Sequence, residues 1–297
     1  MDEILQSLRS ITCEENILVN EPLKNHTTFK VGGPADILVT PTSKEELVAC
    51  LKLNVPKFVM GNGSNLIVKD KGIRGLVIKT TKMNNIVLHD DVVEAEAGAY
   101  LGKVAMFARD NSLTGFEFAS GIPGTVGGGV SMNAGAYGGE MKDVVIETTY
   151  CDLEGNTYTI NNEQHEFGKR KSFFTGKDFV VLSTKIKLNE GNKEEIVAKM
   201  EELRVARTTK QPINLPSAGS IFKRPEGYFA GKLIEDSNLK GYTIGGAQVS
   251  TLHAGFIVNV GDATAKDILD LIKHIQDVVM KNYGVALETE VKMVGED

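Results

Sequence analysis

Apolar residues along this chain recur with two different periods, and the alternation between them lays out the elements. Ser43-Lys44-Glu45-Glu46 has the form of a capping box, and Leu47, Val48 and Leu51 behind it share one helical face. Short apolar runs follow at 57–60 (KFVM), 65–68 (NLIV) and 75–79 (GLVIK), with the length and flanking residues of brief strands. Further strands are predicted at 86–89, 92–97, 144–150, 156–160 and 179–188, interrupted by a helix near 100–112 whose Val104, Phe107 and Ala108 share a face. A helix over 193–209 places Ile196, Val197, Met200 and Leu203 on its apolar side, and Gln211-Pro212 with Leu215-Pro216 then forces an extended connector, where a domain boundary is expected. The last long helix runs from Thr264 to Tyr283, with Asp267 completing a capping box, Ile268, Leu271, Ile272, Ile275 and Val279 as its buried stripe, and Gly284 as its stop. The pattern is that of an α+β protein without internal repeats.

One segment has neither period. Residues 121–139 read GIPGTVGGGVSMNAGAYGG, eight of nineteen being glycine. Such a run forms either tight turns between strands or a cradle that lets the main chain approach an anionic or flat ligand. Pro123 fixes its own φ inside the run, and Ser131, Asn133 and Tyr137 add polar groups, which favours the cradle over a flexible linker.

The composition of the 297 residues, 41% hydrophobic and 24% charged, is that of an ordinary globular protein. A net charge of −6 excludes a broad nucleic-acid footprint, so any anion site must be local. Cys13, Cys50 and Cys151 are far apart and form no metal-ligand spacing, so neither a disulfide framework nor a bound metal is expected. The N-terminal segment is amphipathic and acidic, without a basic region before an apolar core, and no run approaches the ~20 apolar residues of a membrane span. These features fit a protein of the reducing cytoplasm that binds neither nucleic acid nor membrane, and no obligate protein partner is inferred from them.

Neither common nucleotide loop is present. The stretch Gly61-Asn62-Gly63-Ser64-Asn65-Leu66 lacks the third glycine of a dinucleotide fingerprint and runs into a strand, and no GxxxxGK[ST] occurs. A cradle assembled from three loops, at 31–36, 61–68 and 118–139, implies an extended ligand. Five blocks, in order, carry a closer resemblance: NHTTFKVGGPAD (25–36), VMGNGSNLIV (59–68), GFEFASGIPGTVGGGVSMNAGAYG (115–138), LPSAGSIFKRP (215–225) and AGKLIEDSNLKGYTIGGAQVSTLHAGFIVNVGDATAKDIL (230–269). With them the chain resembles the UDP-N-acetylenolpyruvoylglucosamine reductases (UDP-N-acetylmuramate dehydrogenases), flavoenzymes of peptidoglycan precursor synthesis.

The resemblance implies a FAD-binding fold of the vanillyl-alcohol-oxidase type: an FAD subdomain over 1–82, to which the chain returns at 291–297, a second over 83–210, and an α+β substrate domain over 211–290. It implies non-covalent FAD, lined by Thr28, Gly32, Gly33, Gly61, Asn62, Gly63, Ser64, Asn65, Leu66, Gly121, Pro123, Gly124, Thr125, Gly127, Gly128, Asn133 and Ala134; His26 reads as a hydrogen-bonded neighbour of the cradle. NADPH would be the co-substrate, with hydride delivered to the β-carbon of the enolpyruvyl ether and a proton to its α-carbon. Ser220 matches the family's proton donor, Arg170 the clamp on the enolate or carboxylate, and Glu290 the glutamate that supports the same step, with Glu288 as rival on the same strand face. The family commonly has tyrosine where this chain has Lys169. Only Thr175 to Asp178 separate Ser172-Phe173-Phe174 from the next strand, which leaves no room for a tyrosine-bearing loop and points to the type II form.

Between Arg204 and Pro225 stand five cations and no acid. Arg204 and Arg207 suit a solvated helix end, whereas Lys210 and Lys223 are candidates for a diphosphate, with Tyr228, Gln248, His253 and Asn259 as further polar contacts; a lone histidine is more often structural, so His253 stays outside the catalytic set. Another oxidoreductase of the same fold, or a flavin-bound protein without catalysis, are the alternative functions. Ser220 followed by Glu290 favours the reductase, and the intact Ser220, Arg170 and Glu290 speak against loss of catalysis.

Overall fold

A computed structural model describes all 297 residues, and the chain divides into two compact units. The first comprises 1–19, 37–62 and 75–206, and the second 20–36, 63–74 and 207–297.

Strands Ile17–Pro22, Pro34–Val39, Ile73–Lys79 and Lys57–Met60 are ordered as neighbours in that sequence, the last two parallel, and residues 17–19, 37–39, 75–79 and 57–60 of them belong to the first unit. Helices Asp2–Ile11 and Lys44–Leu51 pack on this sheet through Leu8, Leu47, Cys50 and Leu51, all fully buried. The predicted capping box is half formed. Ser43 accepts the amide of Glu46, but the Glu46 carboxylate turns to the amide of Thr42 and the hydroxyl of Thr12 instead. An antiparallel five-stranded sheet follows, in the order Thr157–Asn161, Val145–Cys151, Val180–Lys187, Val92–Glu96 and Ile86–His89. Helix Leu101–Asp110 buries Val104 and Ala108 in its core, as the spacing predicts. Helix Lys193–Lys210 presents Ile196, Met200 and Leu203, whereas Val197, expected in that stripe, is 45% exposed: a residue one step from Ile196 is turned about 100° away.

The second unit is built on the antiparallel strands Thr243–Ile244, Ala247–Val249 and Ile257–Asn259 and the helices Ala230–Asp236 and Ala265–Tyr283. The long helix meets every local expectation: Thr264 and Asp267 form a reciprocal capping box, Gly284 stops it at φ +67°, and Ile268, Leu271, Ile272, Ile275 and Val279 are buried. Burying each of these side chains contributes on the order of 1.5–3 kcal/mol. Segments 20–36 and 63–74, early in the sequence, join this unit because Phe29, Val31 and Ile67 enter its core. The end of the chain secures the arrangement, since Lys292–Val294 runs parallel to Leu66–Val68. No helix is long and apolar enough to cross a membrane.

Candidate active site

The glycine segment is partly helical. Val126–Ser131 forms a short helix entered from Thr125, whose side chain does not cap it. Many of its glycines answer to packing. A methyl on Gly127 would stand 3.1 Å from Ala97, and one on Gly129 would stand 3.1 Å from Leu101. At Gly61 it would meet the Thr125 hydroxyl at 2.2 Å. In the second unit the same holds for Gly32, at 2.8 Å from Val68, and Gly33, at 2.0 Å from the Asp70 carbonyl. Gly124 and Gly128 differ, because the nearest atoms to a methyl there are 3.8 and 3.7 Å away, at ordinary contact. The amides of Gly124 and Thr125 donate to no group of the protein. Open backbone without a side-chain wall, carrying unused N–H donors, is what a dinucleotide pyrophosphate requires, so the residues present fit FAD.

Loop 61–66 is anchored at both ends. Asn62 donates to the Pro123 carbonyl (2.8 Å) and accepts from the Tyr100 hydroxyl (3.1 Å), which ties it to the glycine segment within the first unit. Asn65 donates to the Glu290 carbonyl (3.2 Å), and its own carbonyl accepts the amide of Lys292 (3.0 Å), which ties Gly63 to Leu66 to the C-terminal segment of the second. Thr28 bonds the Ser217 carbonyl at 2.8 Å. His26 faces the Glu21 carboxylate at 2.9 Å, in keeping with a hydrogen-bonded histidine.

Arg170 belongs to the first unit. It stands at φ +56° in a tight turn closed by two backbone hydrogen bonds between Gly168 and Lys171. Two anchors join this turn to the glycine segment. Ser172 donates to the Ser131 carbonyl (2.9 Å), and buried Asn133 donates to both the Glu140 carboxylate (2.8 Å) and the Gly168 carbonyl (3.0 Å). Asn133 also accepts the Lys142 amide, so its side chain serves the protein throughout. Burial pushes the Glu140 carboxyl up, but Lys142, Asn133 and Arg170 outweigh it and hold the group below its ordinary range. Arg170 itself donates to the Gly135 carbonyl at 3.3 Å.

Ser220 and Glu290 belong to the second unit, on adjacent extended segments. Ile221 donates to Gly255 (3.0 Å), Glu290 donates to Ile221 (2.8 Å), and Lys223 donates to Glu288 (2.8 Å), so 220–223 is flanked on both sides. Gly219 at φ +79° turns the chain into this ribbon. The Ser220 hydroxyl makes one long bond, 3.4 Å, to the Phe222 carbonyl, and so is only weakly committed. Glu290 is half-buried, while its rival Glu288 is exposed and paired with Lys223 at 3.1 Å. A cavity of about 340 Å³ opens beside Ser220, lined also by Arg224, Phe229, Lys232, Lys240 and His253.

The other expected substrate contacts differ in what they offer. Lys210 is exposed at a helix end, Tyr228 is 46% exposed, and Gln248 donates to the Thr243 hydroxyl. Asn259 is buried and holds the Gly261 and Ala263 amides and the Phe29 carbonyl, which makes it a residue of the fold. Arg204 pairs with Glu201 on the solvated helix face.

A family model described as the C-terminal domain of UDP-N-acetylenolpyruvoylglucosamine reductase matches residues 211–294, and a FAD binding domain model matches 35–161. The UDP-N-acetylenolpyruvoylglucosamine reductase of Caldanaerobacter subterraneus subsp. tengcongensis is 51% identical over the full length of both chains. That of Clostridioides difficile is 51% identical over 99% of each. The chain belongs to the UDP-N-acetylenolpyruvoylglucosamine reductase family. The crystal structure of the Thermus caldophilus reductase superposes with a TM-score of 0.81 at 37% identity, covering 93% of this chain and 97% of that one. A grass pollen allergen with glucose dehydrogenase activity, 16% identical with a TM-score of 0.50 over 64% of this chain, shares the fold alone. The architecture is thus the expected α+β FAD-binding fold of the vanillyl-alcohol-oxidase type with the reductase C-terminal domain. Within it, reading the sequence overlooked the pocket flanking Ser220 and the part Gly255 plays there; the only local signal was the pair His253 and Gly255 beside the apolar strand Ile257–Asn259.

Proposed function

We infer that this chain reduces the enolpyruvyl ether of UDP-N-acetylglucosamine to UDP-N-acetylmuramate, in the cytoplasm, as a step of peptidoglycan precursor synthesis. FAD, when bound, carries the reducing equivalents from NADPH to the β-carbon of the ether. The protein's part is to hold the charge and supply the proton. Reduction at the β-carbon leaves an enolate-like charge shared between the α-carbon and the carboxylate, and the Arg170 guanidinium, set by its anchored turn, is assigned to that carboxylate. The Ser220 hydroxyl gives its proton to the α-carbon, and Glu290, on the neighbouring segment, supports the proton relay. Backbone amides at Gly124 and Thr125 are assigned to the FAD pyrophosphate. Loop 61–66, Thr28, Gly32 and Gly33 take the rest of the cofactor, alongside the main chain of Gly121, Pro123, Gly127, Gly128, Asn133 and Ala134. Lys210, Lys223, Tyr228 and Gln248 are assigned to the sugar nucleotide. In this reading residues 1–82 and 83–210 serve the cofactor and 211–290 the substrate.

The observation that carries the assignment is the weakly committed Ser220 hydroxyl beside a cavity, one extended segment from Glu290. Anaerobic stopped-flow absorbance of the purified flavoprotein tests it. NADPH should bleach the flavin, and UDP-N-acetylglucosamine enolpyruvate should restore its colour without oxygen. Recovery with oxygen alone would mark an oxidase and overturn the reading.

A further inference from the structure

His253 sits in the Ser220 cavity in a state that its sequence position does not disclose. Its Nδ1 accepts the amide of Gly255 at 3.1 Å. A ring nitrogen that accepts must be unprotonated, so the neutral imidazole carries its hydrogen on Nε2. Burial lowers the pKa of this ring and outweighs the rise from its own backbone, with Lys240 lowering and Glu235 raising it by less, so the neutral form is the one present at neutral pH. Phe256 packs edge-on against it at 5.0 Å, which fixes the ring plane. Nε2 has no hydrogen-bond partner in the protein, nor is it sealed from solvent. The residue therefore holds an oriented, unused N–H donor in a cavity.

Gly255 links this donor to the proton-donating hydroxyl. A methyl built there would stand 3.0 Å from Cε1 of His253, 3.1 Å from its Nδ1 and 3.5 Å from the Ser220 Oγ. Histidine and serine thus pack around one α-carbon, where a methyl would crowd the imidazole. The cations of the cavity are otherwise occupied: Lys240 pairs with Glu235 at 2.9 Å, Lys232 pairs with Asp236, and Arg224 stacks 3.8 Å from the Phe229 ring. What the cavity offers next to Ser220 is one neutral, fixed donor.

We propose that the Nε2–H of His253 is a catalytic hydrogen-bond donor to the substrate carboxylate oxygen that gathers enolate charge before Ser220 delivers its proton. The inference rests on the reductase reading above. A preorganised neutral donor suits that task because it acts on charge as it develops and leaves the ground-state carboxylate to the Arg170 guanidinium assigned to it above.

Three variants test it by separating the two ring nitrogens. Asparagine at 253 keeps an acceptor for the Gly255 amide and loses the distal donor; glutamine keeps a distal N–H and loses the acceptor; alanine loses both. His253→Ala and His253→Asn are expected to slow substrate-driven flavin recovery roughly 10²-fold with substrate affinity little changed, and His253→Gln to regain most of that loss. Flavin bleaching by NADPH should be the same in all three. Rescue by asparagine and not by glutamine would reduce His253 to a brace for Gly255 and overturn the proposal. So would a rise in KM with the saturated recovery rate intact, the mark of a ground-state contact such as the diphosphate. A wild-type protein that fails to recover at all would instead overturn the reductase reading. Imidazole 15N NMR of the wild-type flavoprotein needs no variant: the Nε2–H signal of His253 should move on adding UDP-N-acetylmuramate, whose carboxylate it would meet, and an unmoved signal overturns the proposal.

Discussion

Between Gly121 and Gly139 the first unit commits the side chains of Ser131 and Asn133 to its own groups, whereas around Ser220 the second leaves side chains facing a cavity. Asn133, Ser131 and Ser172 donate to the carbonyls of Gly168, Gly127 and Ser131, and what remains open there is the main chain of Gly124 and Thr125. In the cavity the Ser220 hydroxyl has one long bond and His253 an unused nitrogen. The difference teaches where substitution should be felt. A backbone cradle depends on shape and resists the addition of a methyl; a side-chain pocket depends on chemical identity and responds to the removal of a single atom.

Removing the hydroxyl tests that contrast most severely. Ser220→Ala is expected to slow flavin recovery by the enolpyruvyl substrate by about 10²–10⁴-fold while bleaching by NADPH stays nearly intact. An equal loss in both half-reactions would place Ser220 outside the proton transfer. Adding a methyl is the converse probe. Gly61→Ala must displace the Thr125 hydroxyl now 2.2 Å from the new carbon, at a cost of about 1–3 kcal/mol, and should be read as a lower melting temperature with less retained FAD. Wild-type values for both would mean that this part of the cradle yields.

Acidification should disturb the first unit through a residue outside its cradle. His165 is fully buried, with Nδ1 held at 2.6 Å from the Asn161 carbonyl and Nε2 without a partner, and burial holds its pKa below the ordinary 6.5. Between that lowered value and 6.5 the unfolded chain binds the proton more readily than the native one, so stability is complete above 6.5 and declines as pH falls through this window. His165 also accepts the Phe173 amide just beyond the Arg170 turn. Urea unfolding on either side of the ordinary histidine pKa should show the decline, and His165→Phe should flatten it; an unchanged slope would assign the titration elsewhere. The smallest expected effect is at the exposed Lys223–Glu288 pair, where Lys223→Met should change stability by no more than about 1 kcal/mol yet raise KM for the sugar nucleotide. An unmoved KM would remove Lys223 from the substrate contacts.

Local rules made much of this molecule legible. The Thr264 capping box, the five-residue stripe and the Gly284 stop act within a turn or two of helix, and all are realised. The strands Lys57–Met60 and Ile86–His89 end at the residues their apolar runs indicate. Where the reading was incomplete, a distant partner decided the outcome: Glu46 left its capping box for Thr12, and Asn259 was drawn into the fold by Phe29.

By itself, then, the sequence determined the element types, the α+β class and, through five ordered blocks, the family, because each depends on residues near one another in the chain. Tertiary structure alone decided which glycines serve packing and which leave the main chain open, that Asn65 reaches Glu290 across 225 residues, and that His253 and Ser220 share Gly255. Those outcomes depend on which surfaces are buried against which, and burial is settled only when the whole core closes.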